Sequence, residues 1–374
     1  MRLLTFRNGA DLKLSAYAFE GGRFAGYGAA APFFVDYATV ADVVAGGGQE
    51  FICIQGVTGV DLDLKSFGYA GRLLRTAKGA TGHPRTGGMR GTVTTTRNPD
   101  LSKARTAQSI WADYGTDTGV GYWGTLDRIT DDFAAYGPVW IGLNDIMIKT
   151  MDCAYGVSGP IFRGCAVVKG DLWYIGDIDG NPSGYHAVFE KSGSIPCVAV
   201  DVKSMTFLTA ANGVLLDSVS DFRSSISHYG AGLTYGTILE SRNSKDVDVV
   251  LKGGDAGSSL AYIHGAQTGD HDLCVTATTG TNSNSVFIAE DVPAESVFHI
   301  WAHLNGLPAG QSGIIVGTTA TVVIDNGDFK GDADSSCITI TQNPNNVKFL
   351  SGKKRGPCAL YGGFTPSYVG PAVS

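Results

Sequence analysis

The sequence predicts an all-β fold: a right-handed parallel β-helix solenoid preceded by a short N-terminal attachment or capping segment. Three observations predict it. First, strand-like runs recur from Lys245 onward and close on Gly253, Gly280, Gly306, Gly327 and Gly352, at spacings of 27, 26, 21 and 25 residues. A fixed period of this size marks stacked coils of one repeated unit. Second, the runs are rich in Val, Ile, Thr, Phe and Trp and they alternate, as half-buried strands do. Third, glycine is abundant (52 residues), charged residues make up only 17% and apolar ones 43%. That mixture suits short strands and tight turns around a continuous core. Evenly spaced strands would also suit a large antiparallel sandwich, so that architecture stays open at this level.

In chain order, residues 1–36 form an aromatic, Gly- and Ala-rich stretch that reads as the attachment segment. Thr39–Gly56 reads as a short helix, a glycine turn and a strand: Val40, Val43 and Val44 follow helical spacing, Thr39 caps them and Gly46–Gly48 end them. Such a helix would cover the open end of the first coil. Residues 37–352 form the predicted β-helix body. Within it, residues 71–105 carry eight cations (among them Arg72, Arg75, Arg85 and Arg90) against the single acid Asp100, and read as a basic loop. Leu126–Gly137 reads as a helix with Leu126, Ile129 and Phe133 on one face. Strands resume after Pro138. From Lys245 to Gly352 they come as main runs with shorter ones between, such as Ser259–Gly265 and Gly313–Gly317. Residues 353–374 are Pro- and Gly-rich and read as a capping tail.

The formal net charge of −7 argues against nucleic-acid binding by the whole chain. The basic segment is a candidate docking loop for an acidic surface. Seven cysteines stand singly, with no CxxC pair, so neither a zinc site nor a complete disulfide framework is expected. The first residues lack the apolar run of a signal peptide, and no segment has the length of a transmembrane helix.

In Val297–Leu304, alternation turns Phe298, Ile300, Ala302 and Leu304 to one side, and His299, Trp301 and His303 to the other. Two histidines four residues apart on a strand are separated by roughly 13 Å, too far to share one metal ion. The face suits saccharide, because a Trp ring stacks on a pyranose while polar neighbours take hydroxyls. It equally suits packing against a neighbouring subunit. Asp177, Asp179 and Asn181 resemble the start of a calcium loop, but Pro182 replaces the glycine and no glutamate closes it. Neither a metal nor a cofactor is expected. Many acids could form a glycan-cleaving pair, including Asp217, Glu240 and Asp246, and spacing does not choose among them.

The N-terminal stretch, the segment ATVADVVAGGGQEFICIQG and the coils that follow resemble the tailspike and receptor-binding proteins of tailed bacteriophages. The resemblance is one of architecture over about residues 37–352. It implies a homotrimer that is assembled in the host cytoplasm and resides in the virion. It also implies contact with other tail or capsid proteins and recognition of host cell-surface polysaccharide. Two alternatives share the fold: a polysaccharide-degrading enzyme (glycoside hydrolase or lyase) and a purely architectural tail or capsid adaptor.

Overall fold

A computed structural model describes residues 2–21, 50–69, 72–79, 86–96, 108–115, 122–132, 137–154, 159–176, 185–208, 212–229, 236–253, 259–277, 284–342 and 346–374. The expected helix at Thr39–Gly48 and the calcium-like turn at 177–184 lie outside them. Among the described residues there is no α-helix, and none that is long and apolar enough to cross a membrane. The chain forms two compact units, Met1–Val202 and Lys203–Ser374. Each is a parallel β-solenoid.

In the first unit, β1 (Arg2–Gly21) and β2 (Glu50–Tyr69) are long strands paired in parallel from Arg2–Glu50 to Gly21–Tyr69. After them each coil splits into two strands. Glu50 lies opposite Arg72 of β3 (Arg72–Ala77), and Thr58 opposite Gly87 of β4 (Gly87–Thr96). The ladders then continue through β5 (Gln108–Asp113), β7 (Val139–Ile141), β9 (Ile161–Arg163) and β11 (Tyr185–Glu190) on one side. On the other side they continue through β6 (Tyr122–Asp132), β8 (Asn144–Ala154) and β10 (Ala166–Ile175). The strand β12 (Cys197–Leu208) contains the boundary between the units.

The second unit repeats the two-strand coil. One ladder holds β13 (Asn212–Asp217), β15 (Leu239–Arg242), β17 (Ser259–His264), β19 (Asn284–Ile288), β21 (Ser312–Val316), β23 (Ser336–Ile340) and β25 (Ala359–Gly363). The other holds β14 (Val219–Tyr229), β16 (Lys245–Gly253), β18 (Thr268–Ala277), β20 (Val297–Leu307), β22 (Thr321–Gly331), β24 (Val347–Arg355) and β26 (Tyr368–Val373). Ser220 faces Lys245 and Val322 faces Val347, each 25 residues on, which is the period of the sequence.

Alternation builds the core. In β20, Phe298, Ile300, Ala302 and Leu304 are buried, whereas His299 and Trp301 are half-buried and His303 is exposed. Register stacks like on like between coils: Phe222, Val247, His271, Phe298, Val322 and Val347 form one inward row. Each such apolar side chain contributes about 1.5–3 kcal/mol. In the first unit the rows are aromatic. Trp140 stacks on Phe162 at 4.7 Å, Phe162 on Phe189 at 5.0 Å, and Trp123 meets Trp140 edge-on at 5.9 Å.

The bend between the two strands of a coil has its own repeat. Two residues three apart adopt positive φ: Asn8 and Asp11, Gly56 and Gly59, Gly142 and Asp145, Gly164 and Val167, Ser218 and Asp221, Asn243 and Asp246. Gly, Asn and Asp tolerate this conformation. Val167 is the costly member, since a β-branched residue at φ 54° loses about 1–2 kcal/mol to its own sterics. At Gly142 no other residue fits, because a Cβ would lie 2.0 Å from the Gly115 carbonyl oxygen of the coil before.

Several sequence expectations change. Residues 2–21 are a strand laddered to β2 rather than an appended segment, and 22–36 lie outside the described residues. Residues 353–374 hold the end of β24, then β25 and β26, so the expected tail is a further coil. The basic stretch contains two strands, β3 and β4, instead of a continuous loop. The helix expected from Leu126 is the strand β6 as far as Asp132. A bulge is the physical reason. Gly91 pairs with Leu126 and Thr92 with Arg128, so Asp127 is an extra residue. Leu126 and Ile129 are both buried across it, which imitates the three-residue spacing of a helix.

Candidate functional site

The strand β20 presents the His-Trp-His face as expected. His299 and Trp301 lie with ring centroids 6.4 Å apart and planes 25° from parallel. On the preceding coil Asp272, Cys274 and Thr276 stand opposite His299, Trp301 and His303. On the following coil the partners are Val323, Asn326 and Asp328, with a bulge between Ile300 and Trp301. The half-buried indole therefore lies between rows of carboxylate, hydroxyl and amide groups. Asp328 anchors one end. It accepts Arg355 Nε and Nη2 at 2.8 and 2.9 Å, with Lys353 at 3.8 Å and His303 Nδ1 at 3.6 Å. At the other end Asp272 lies opposite Asp248. Burial, then the Asp272 charge, raise the Asp248 carboxyl above its ordinary pKa, and Arg223 opposes them. Among the described residues no three of His, Cys, Asp or Glu converge on a metal-sized site.

Of the four arginines, the three among the described residues do not form one surface. Arg85 lies outside the described residues. Arg72 is buried, its guanidinium 4.5 Å over the Trp111 ring and 4.0 Å from Glu50. Arg75 Nη1 donates to Glu50 Oε1 at 2.6 Å. Only Arg90 of β4 is exposed, and it pairs with Asp61 through Nε and through Nη2 at 3.3 Å. Of the three arginines described, one is thus buried, one half-buried and one on the outer face.

Arg90 leads to a feature that sequence reasoning missed. The outer faces of β1, β2, β4 and β6 form an open groove of about 510 Å³, lined by Lys13, Ser15, Asp61, Asp63, Arg90 and Asp127 over Leu14, Leu62 and Gly91. Two backbone devices make the hollow. The bulge adds Asp127 to its β6 rim, and Gly91, at φ 110°, leaves its floor bare. A Cβ at Gly91 would lie 2.0 Å from the Leu62 carbonyl oxygen. Lys149 Nζ donates to Asp127 at 2.5 Å, while Ser15 and Thr92 hydroxyls each lie 3.4 Å from Asp63 oxygens. Asp61 and Asp63 share one face of β2, roughly 6.7 Å apart along the strand.

No protein-family model, curated protein or solved structure matches this chain. Its chemistry must be read from its own side chains. The three acids named in the sequence analysis are paired: Asp217 with Arg242 at 3.1 Å, Glu240 with His264 Nε2 at 3.1 Å, and Asp246 with Lys245 at 3.8 Å. The groove was hidden because the run VDLDLK shows alternating acids, but nothing in it says that the neighbouring strands recede. Geometrically, both outer faces offer fixed hydrogen-bonding groups to a hydroxylated ligand. Only β20 adds an accessible indole.

Proposed function

We propose that this protein is a virion component, a tailspike or receptor-binding protein, that recognises host cell-surface polysaccharide through the outer face of a β-solenoid. Trp301 carries the reading. Its ring, set beside His299 and flanked by Asp272, Thr276, Asn326 and Asp328, combines a stacking surface with hydroxyl partners. A homotrimer, assembled in the host cytoplasm and joined to tail or capsid proteins, belongs to the same proposal. The resemblance in coil architecture supports it.

Tryptophan fluorescence tests the site. Trp111, Trp123, Trp140 and Trp173 are at most 5% exposed, so Trp301 dominates quenching by acrylamide. Bound polysaccharide is expected to protect it. Quenching that stays unchanged at saturating polysaccharide overturns the assignment of the ligand to this face.

The groove favours a second reading, cleavage of glycan, because Asp61, Asp63 and Asp127 line it together. In that case the protein releases reducing ends from capsular or lipopolysaccharide preparations. Asp63→Asn or Asp127→Asn then lowers the rate about 100-fold or more. Silence of the wild-type protein across the preparations rejects this reading.

A further inference from the structure

We propose that Cys337 and Cys358 form a redox clamp that fastens residues 356–374 to the coil before them. Cys337 lies in β23, and Cys358 immediately precedes β25, which pairs with β23 from Ser336–Ala359 onward. Both thiols are buried, and their Sγ atoms are 3.7 Å apart although the residues are 21 apart in sequence. A disulfide needs about 2.05 Å, so closure asks for a side-chain adjustment rather than a change of fold.

The coil itself shows why such a clamp matters. Gly356–Ser374 contains no charged side chain, so no side-chain ion pair holds it. Its buried residues are Cys358, Pro366 and Gly370. Phe364, Tyr368 and Val369 are 52%, 50% and 44% exposed. Among the described residues β25 ladders to β23 and β26 to β24, each along one edge. Backbone ladders with so few buried side chains open easily. Among the described residues, the Cys337–Cys358 pair is the one place where a covalent bond can tie this coil through its interior.

The chemistry requires an oxidant, and a small-molecule disulfide such as oxidised glutathione supplies it. One cysteine thiolate attacks that disulfide, its S–S bond breaks and one glutathione leaves as the thiol. The second cysteine loses its proton and attacks the mixed disulfide, releasing the second glutathione. Two protein thiols are oxidised and one disulfide is reduced to two thiols. Burial, reinforced by Cys358, holds the Cys337 thiol well above its ordinary pKa of 9.0. The closed coil is therefore slow to react, and the thiolate forms when the coil opens. A chain that passes from a reducing to an oxidising compartment would be locked in passing.

The test uses the full chain in oxidised and in reduced glutathione. It is then alkylated under denaturing conditions and mapped by mass spectrometry, which reads each cysteine separately. The expected product is a linked peptide pair containing Cys337 and Cys358, two hydrogens lighter. In native oxidised protein, amide exchange in β25 and β26 slows about tenfold or more. Reductant or Cys358→Ser removes both effects. Recovery of both residues as alkylated thiols or separate glutathione adducts overturns the clamp. So does a link that leaves exchange unchanged.

Discussion

Replacing Asp131 by asparagine is expected to stabilise the protein above neutral pH and to remove the stability that this one group adds as pH falls. Asp131 points into the first unit from β6 and is 3% exposed. Its two oxygens accept hydrogen bonds from Thr95 and Ser109, each at 2.7 Å. The influences on its charge are burial, these two hydroxyls and the neighbouring Asp132, and none of them is a cation. Burial therefore dominates and pushes its pKa from the usual 3.8 to about 6, against the pull of the two hydroxyls. The native state thus binds this proton more tightly than the unfolded chain. Its contribution to stability is full below about pH 4 and is lost as pH rises through about 6. A shift of this size corresponds to about 3 kcal/mol between those limits. The asparagine of the variant would keep one acceptor, and its amide would donate to the other hydroxyl, so the packing survives without the buried charge. Urea unfolding at about pH 4.5 and about pH 8 measures the difference. Equal losses of stability in both proteins over that range would show that Asp131 is not the titrating group.

The second large effect belongs to Glu50. This carboxylate is 3% exposed and lies within reach of two guanidinium groups, Arg75 at 2.6 Å and Arg72 at 4.0 Å. Register sets the contact, since Glu50 lies opposite Arg72 on the next coil, and Arg75 follows in the same strand, opposite Cys53. Stacking on Trp111 fixes Arg72 but does not neutralise it. Glu50→Ala leaves the buried Arg72 and the half-buried Arg75 without this counter-charge. Removing one partner of a buried ion pair costs about 3–5 kcal/mol, well above the worth of an exposed pair such as Arg90–Asp61. Denaturant unfolding reads it directly. A loss under about 1 kcal/mol would show that water or other groups satisfy these arginines.

The same contacts show where sequence sufficed and where it did not. The outward row His299, Trp301, His303 was legible because β20 alternates strictly and its two faces differ in chemistry. The shorter strands between the main runs were legible as brief apolar, β-branched runs, although their burial does not alternate. Glu50, Arg72 and Arg75 were not, because their pairing joins coils whose offset is 22 residues at this point but 36 between Arg72 and Gln108. Irregular offsets of that kind hide the period in the first unit. The bend pairs such as Asn8 and Asp11 or Ser218 and Asp221 were hidden by their residue types: the shared property is positive φ, which different bends meet with Gly, Asn, Asp, Ser or even Val. The groove depended on a bulge at Asp127, and bulges leave no pattern of their own in one sequence.

Trp301 joins the legible strand to the proposed role. The most direct measurement is the affinity of intact host-surface polysaccharide for the wild-type protein and for Trp301→Ala, both checked for the same unfolding midpoint. Loss of a central stacking indole should weaken binding about tenfold or more. Tight binding that is the same in both proteins would contradict recognition through this face.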